Sequence, residues 1–248
     1  MPYFNIVAQS SESTVVTEYK PQAKRSEAYQ SEADLEKEFI RLLCELGYER
    51  LTIHKEADLI ANLRTQLEKL NNYRFTDGEW KRFWDEVLAN TNSGILEKTR
   101  LIQEDYVQVL RRDNGESKNI QLIDKKCIHN NSLQVINQYA ISAEEGAAHN
   151  NRYDVTVLVN ELKRRGVPIR EAFNQIDRYQ RDSFWASSGL YEFVQIFVIS
   201  NGTNTKYYSN TTRFNHIKDA KAQKAKKSKT SNSFEFTSFW ADANNRII

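Results

Sequence analysis

The sequence predicts an α/β fold, a mixed-sheet core preceded by a helical N-terminal region. Three observations predict it. Apolar residues recur at helical spacing from Leu35 to Leu88. After about residue 105 they give way to short β-prone runs, "YVQVL", "NIQLID", "LQVINQYAI" and "YDVTVLV". One helical stretch, roughly Ile169 to Tyr179, is embedded among those runs, as a mixed sheet with a crossover requires.

The elements follow in order. Residues 1–28 are polar and weakly periodic and read as an arm or a short edge strand. Ser31 begins a capping box with Asp34 in place of the usual Glu or Gln. Leu35, Phe39, Leu42, Leu43 and Leu46 then share one helical face, and Gly47 ends that helix. A second helix carries Leu59, Ile60, Leu63, Leu67 and Leu70. Thr76 and Glu79 form another capping box, which opens a helix bearing Trp80, Phe83, Trp84, Val87 and Leu88. "YEFVQIFVISNGT" is the most apolar run and belongs in the middle of a sheet, with "TKYYSN" and "FEFTSFW" as flanking strands.

Bulk properties exclude several function classes. The 248 residues, 40% of them hydrophobic, suffice for a sizeable core. The 35 basic and 33 acidic residues nearly cancel, so only local clusters can point to a charged partner. Cys44 and Cys127 form no CxxC pair, and with no signal peptide the sequence reads as cytoplasmic. No apolar run approaches the ~20 residues needed to span a bilayer, so no membrane partner is expected. The scattered histidines have no zinc-ligand spacing.

Chemistry concentrates in "NRYDVTVLVNELKRRG", residues 151–166. Asp154 opens an apolar run, where an unpaired charge is costly. Glu161 and Lys163 close it. Two carboxylates suit a hard cation such as Mg²⁺, which would polarise a phosphodiester and acidify its bound water. A neighbouring ammonium would hold the nucleophile and offset developing charge. Gln175 and Tyr179 lie four apart on the following helix and share a face, with Arg170 and Arg178 nearby as phosphate contacts. The segment 216–232 adds Lys218, Lys221, Lys224, Lys226, Lys227 and Lys229, a cluster suited to DNA phosphates or to plain solvent exposure.

The stretch "NRYDVTVLVN…ELKRRGVPIREAFNQIDRY" resembles the N-terminal nuclease domain of the motor (restriction) subunit of type I restriction-modification enzymes. The resemblance continues through "YQSEADLEKEFIRLL", "NIQLIDKKCIHNNSLQVINQY" and "VQIFVISNGTNTKYYSNTT" and so covers most of the chain. It implies a restriction-endonuclease-like core with an Asp…Glu-x-Lys site and a Gln-x-x-x-Tyr helix motif. Carried over, Asp154 and Glu161 would bind Mg²⁺, Lys163 would position the attacking water, and Gln175 and Tyr179, which match the helix motif, would complete the catalytic set. Glu36 on the first long helix is a further metal candidate. The implied organisation is an arm (1–28) and a nuclease domain (29–248), helical to about residue 104 and mixed-sheet from 105.

The resemblance also implies cleavage of unmodified double-stranded DNA after ATP-driven translocation, alongside modification (methyltransferase) and specificity subunits. Such subunits continue into helicase motor domains. This chain carries no GxxxxGK[ST] loop, so ATP is expected only in a full-length subunit. Its end on "NNRII" reads as that of a fragment. The alternative function is a non-catalytic module docking on the modification-enzyme core.

One departure from the family pattern is local. The family places a longer connection, with Gly after the residue matching Asn160 and a second apolar strand before the Glu. Here Asn160 meets Glu161 directly. In one continuous strand Asp154 and Glu161 would stand roughly 23 Å apart, at ~3.3 Å per residue. A hairpin turning on Val157-Leu158 would bring them level, but Val and Leu are poor at the positive φ that two-residue turns require. Turn chemistry therefore predicts a break between Asn160 and Glu161, with about seven residues missing there and an Asn-Gly hairpin among them.

Overall fold

The computed structural model describes residues 5–9, 15–18, 31–141, 146–148, 150–156, 159–162, 169–200, 205–212 and 237–239. For residues 5–9, 15–18, 128, 159–162 and 169 it describes the backbone path alone. In chain order the strands are β1 (Asn5–Gln9), β2 (Val15–Glu18), β3 (Glu49–Arg50), β4 (Val107–Arg111), β5 (Ser117–Gln121), β6 (Gln134–Ile141), β7 (Asn151–Thr156), β8 (Val159–Leu162), β9 (Ile196–Ser200), β10 (Thr205–Ser209) and β11 (Ser238–Phe239). The α-helices are α1 (Glu32–Glu45), α2 (Glu56–Asn71), α3 (Asp77–Phe83), α4 (Ile95–Gln103) and α5 (Ile169–Asp182).

Among the described residues, seven strands form one sheet in the order β11-β10-β9-β8-β7-β6-β3. It is mixed: β3–β6 and β8–β9 pair in parallel, and the other neighbours are antiparallel. This is the expected α/β mixed sheet. The most apolar run supplies β9, held between β8 and β10, with Phe197 and Ile199 fully buried.

Helix α1 lies on one face of the sheet. Its start and stop are the predicted ones. Ser31 Oγ accepts from the Asp34 N–H at 3.2 Å. At the other end Gly47, at φ +96°, closes the helix, with bonds from Gly47 N to Cys44 O and from Tyr48 N to Leu43 O. That is a Schellman arrangement, which requires left-handed backbone at the glycine. The buried stripe differs from the expected one. Ile40 packs on Val135 and Val155 with Phe39 and Leu43 beside it, while Leu42 and Leu46 are exposed. Ile40 is 4% exposed, and burying such a side chain contributes about 1.5–3 kcal/mol.

Helix α5 packs on the opposite face. Ala172, Phe173, Ile176 and Tyr179 enter the main core with Tyr139, Tyr153, Phe184, Phe197 and Tyr208. A second core joins α2 and α3 to the β4–β5 hairpin through Leu67, Phe75, Trp80, Phe83, Leu110 and Ile120. The Thr76–Glu79 capping box is present with both of its bonds, and a π-helical turn over Trp84–Leu88 follows α3.

Helix α4 was not expected, because its buried positions, Lys98 and Thr99, are polar and blur the apolar period. Lys98 Nζ donates to Glu192 Oε2 and to the Gly189 carbonyl, both at 2.9 Å, linking α4 to the 3-10 turn over Leu190–Phe193.

Two expectations need correction here. "YDVTVLV" is not one strand, because β7 and β8 pair as a hairpin across residues 157–158, with Val155 opposite Asn160 and Thr156 opposite Val159. Nor does the chain break after Asn160. β8 runs through Asn160 and Glu161, which pair in register with Val198 and Ile199 of β9. Turn propensity is a local term, whereas β8 is bonded on both sides as a central strand, and those two ladders set the register.

Candidate nuclease site

The hairpin register decides where the two acidic residues stand. Val155 pairs with Asn160, so Asp154 and Glu161 are the next residues outward on β7 and β8. The backbone therefore brings the two positions level, seven residues apart in sequence yet side by side in the sheet. The Glu161 side chain, all of Lys163 and the whole lysine segment from Lys218 to Lys229 lie outside the described residues.

Beside Asp154 the β6–β7 ladder is irregular. The paired residues step from Asn137–Val155 to Tyr139–Tyr153, leaving Gln138 and Asp154 between them, and Gln138 adopts φ +57°. Strand alternation would send Asn137 and Gln138 to opposite faces. Instead both donate to one carboxylate on α1. Asn137 Nδ2 lies 2.6 Å from Glu36 Oε1, and Gln138 Nε2 lies 2.5 Å from Glu36 Oε2. On β7 the same reversal leaves Val155 packed on Ile40 while Thr156 Oγ1 bonds Tyr191 OH at 3.1 Å on the α5 side.

A cleft of about 680 Å³ opens between α1 and this part of the sheet. Glu36, Asp154, Asn137 and Gln138 line it, and Lys37, Arg41, Arg50 and Arg152 add positive charge. Carboxylates and cations lining one cleft can hold a hard metal ion and the phosphates of a nucleic-acid backbone. Among the described residues no three His, Cys, Asp or Glu side chains gather closely enough to hold a metal ion by themselves. The donor set still fits Mg²⁺, which takes one or two carboxylates and keeps several waters. Asp154 and Glu36 offer such oxygens in one cleft.

Gln175 and Tyr179 take a different place. The Gln175 amide donates to the Tyr179 hydroxyl, which in turn donates to the Arg152 carbonyl at 2.9 Å. Tyr179 is 3% exposed and packs edge-on against Tyr153, with ring centroids 5.1 Å apart. The pair thus reaches the site through the backbone of β7, two residues before Asp154. Tyr153 bonds Ser183 Oγ at 2.7 Å, and burial pushes its phenol well up, so it stays a neutral core group. Arg170 and Arg178 are exposed on α5, the Arg178 guanidinium 5.7 Å from the Tyr179 ring centroid.

Sequence reasoning missed Asn137, Gln138, Arg50 and Arg152 in the cleft. A signal existed for two of them. Asn137-Gln138 sets two polar residues side by side inside "LQVINQYAI", which breaks strand alternation.

The family described as the type I restriction enzyme R protein N terminus matches residues 29–216. This chain belongs to that family. It is similar to the endonuclease subunit of the type I restriction enzyme EcoprrI of Escherichia coli, at 43% identity over 250 residues, covering 98% of this chain and 74% of that protein. It is also similar to the SauMSSORF170P endonuclease subunit of Staphylococcus aureus strain MSSA476, at 39% identity over 195 residues. That match covers 74% of this chain and 20% of the relative, so the chain spans only a fifth of such a protein. The restriction-endonuclease-like fold class fits this membership. Since 98% of 248 residues is about 243, the 250 aligned positions of the Escherichia coli match include several where this chain has no residue. A shortened connection somewhere in this chain accords with that. Among the described residues no helix is long and apolar enough to cross a membrane.

Proposed function

We propose that the chain is the Mg²⁺-dependent DNA-cleaving domain of a type I restriction enzyme, residues 1–28 forming an arm and 29–248 the nuclease. The observation that carries this reading is the β7–β8 register, which sets Asp154 and Glu161 level beside the cleft that Glu36 lines. Asp154 and Glu161 would hold the cation, with Glu36 as a third carboxylate. Bound there, Mg²⁺ would polarise the scissile phosphate and lower the pKa of a coordinated water. Lys163 would orient the attacking water and offset charge on the phosphorane-like transition state. Gln175 and Tyr179 would brace the strand that presents Asp154. Double-stranded DNA would meet Lys37, Arg50 and Arg152 at the cleft, with Arg170, Arg178 and the lysine segment further along its backbone.

Target choice would fall to specificity and modification subunits. Motor domains, where present in a longer subunit, would use ATP to deliver the DNA. A purely docking role gives no reason for two acidic positions to stand level across a hairpin. The test is Asp154→Asn in the assembled restriction enzyme. Cleavage of unmodified plasmid should fall by roughly 100-fold or more, the scale for losing a group that stabilises transition-state charge, with ATP hydrolysis unchanged. Cutting at the wild-type rate would refute the assignment.

A further inference from the structure

We propose that Gln138 and Asn137 are positioning residues that hold the Glu36 carboxylate in the Asp154 cleft as a ligand for a divalent cation. This rests on the nuclease reading above and adds to it the device that aims one ligand. Each oxygen of Glu36 accepts one amide N–H, from Asn137 at 2.6 Å and from Gln138 at 2.5 Å. A carboxylate oxygen so engaged keeps a lone pair for a metal. Both donors are neutral, so they fix the group without cancelling the charge a cation needs. An arginine in their place would compete with the metal. An arginine joins this network through Asn137 rather than Glu36, Arg50 Nη2 lying 3.4 Å from Asn137 Oδ1. That contact sets which way the Asn137 amide faces and leaves Nδ2 for Glu36.

The backbone supports the same assignment. Left-handed φ in a strand is unfavourable for a residue with a side chain, and it persists where surrounding structure over-determines it. At Gln138 the φ of +57° brings a long amide onto the same face as Asn137. Regular alternation would have turned Gln138 into the core on the α5 side. The irregularity also leaves Asp154 opposite Gln138 in the ladder, so one distortion serves both carboxylates. Groups that orient a ligating carboxylate typically change metal affinity 10–100-fold when removed.

The experiment measures Mn²⁺ binding to the 248-residue chain by calorimetry, with thermal unfolding of each variant alongside. Gln138→Gly removes the amide and relieves the left-handed backbone, so its unfolding temperature should equal or exceed that of wild type. Its Mn²⁺ affinity should fall roughly tenfold or more. Asn137→Ala, which leaves the Gln138 backbone alone, should fall likewise and keeps the test decisive if the first variant fails to fold. Glu36→Gln should weaken binding at least as much, and adding Gln138→Gly to it should weaken binding no further. Wild-type affinity in both amide variants overturns the proposal, as does an undiminished Gln138→Gly effect in the Glu36→Gln background. Asp154→Ala separates the two levels of the argument. If it abolishes Mn²⁺ binding while the Glu36 and amide variants keep wild-type affinity, only the positioning role fails. If it leaves Mn²⁺ binding intact, the metal-site reading fails and this proposal with it.

Discussion

Replacing Tyr179 by Phe separates a residue that braces the site from one that takes part in the chemistry. The hydroxyl donates to the Arg152 carbonyl at 2.9 Å and accepts from the Gln175 amide, while the ring is packed in the main core. Phenylalanine keeps the ring and removes both bonds. The Gln175 amide is half-buried and can turn to water, so its loss is small. The Arg152 carbonyl, on a ladder residue opposite Ala140, loses the bond from the hydroxyl. One net hydrogen bond of this kind is worth about 1–1.5 kcal/mol. For a domain of this size that lowers the unfolding temperature by about 2–6 °C. Because Arg152 is two residues from Asp154, cleavage should fall only modestly, roughly three- to tenfold, and in step with the loss of stability. Urea denaturation of the isolated chain and plasmid cleavage by the assembled enzyme measure the two quantities. Abolished cleavage with an unchanged unfolding free energy would refute the bracing role and place the hydroxyl in contact with substrate.

Two further outcomes follow from the same structure. Lys98→Met leaves Glu192 without its buried cation and should destabilise the chain by about 3–5 kcal/mol, the usual effect of breaking a buried pair from one side. The double variant Lys98→Met/Glu192→Leu should recover most of that in urea denaturation, and an additive loss would contradict the pairing. Neutralising three of Lys218, Lys221, Lys224, Lys226, Lys227 and Lys229 should weaken DNA binding across all sequences. It should lower the slope of log K against log salt by roughly 3, whereas an unchanged slope would make the segment a solvated loop.

The sequence by itself determined the elements whose cause is local. Ser31, Gly47 and the Thr76–Glu79 box set helix ends because capping is settled within a few residues. The apolar run "VQIFVIS" announced a buried strand, and its centre is β9. Asp154, Glu161 and Lys163 stand out in the sequence as candidates, and the resemblance that singles them out is matched by family membership over residues 29–216.

What needed the tertiary structure is what depends on partners distant in sequence. Turn propensity alone argues against a β7–β8 hairpin, but β8 lies between β7 and β9, and its pairing on both sides sets the register. The face of α1 that is buried was misjudged because five leucine-rich positions fit a helical stripe equally well. Only the presence of Val135 and Val155 opposite selects Ile40 and leaves Leu42 and Leu46 in solvent. Helix α4 was hidden because its inward side chains are polar, and Lys98 is tolerated there only by a carboxylate and a carbonyl some ninety residues further along the chain. The amide pair that grips Glu36 spans about a hundred residues and depends on one left-handed residue in β6. No local pattern encodes such a contact, because a backbone reversal within a strand is stable only when the groups it brings together are already in place.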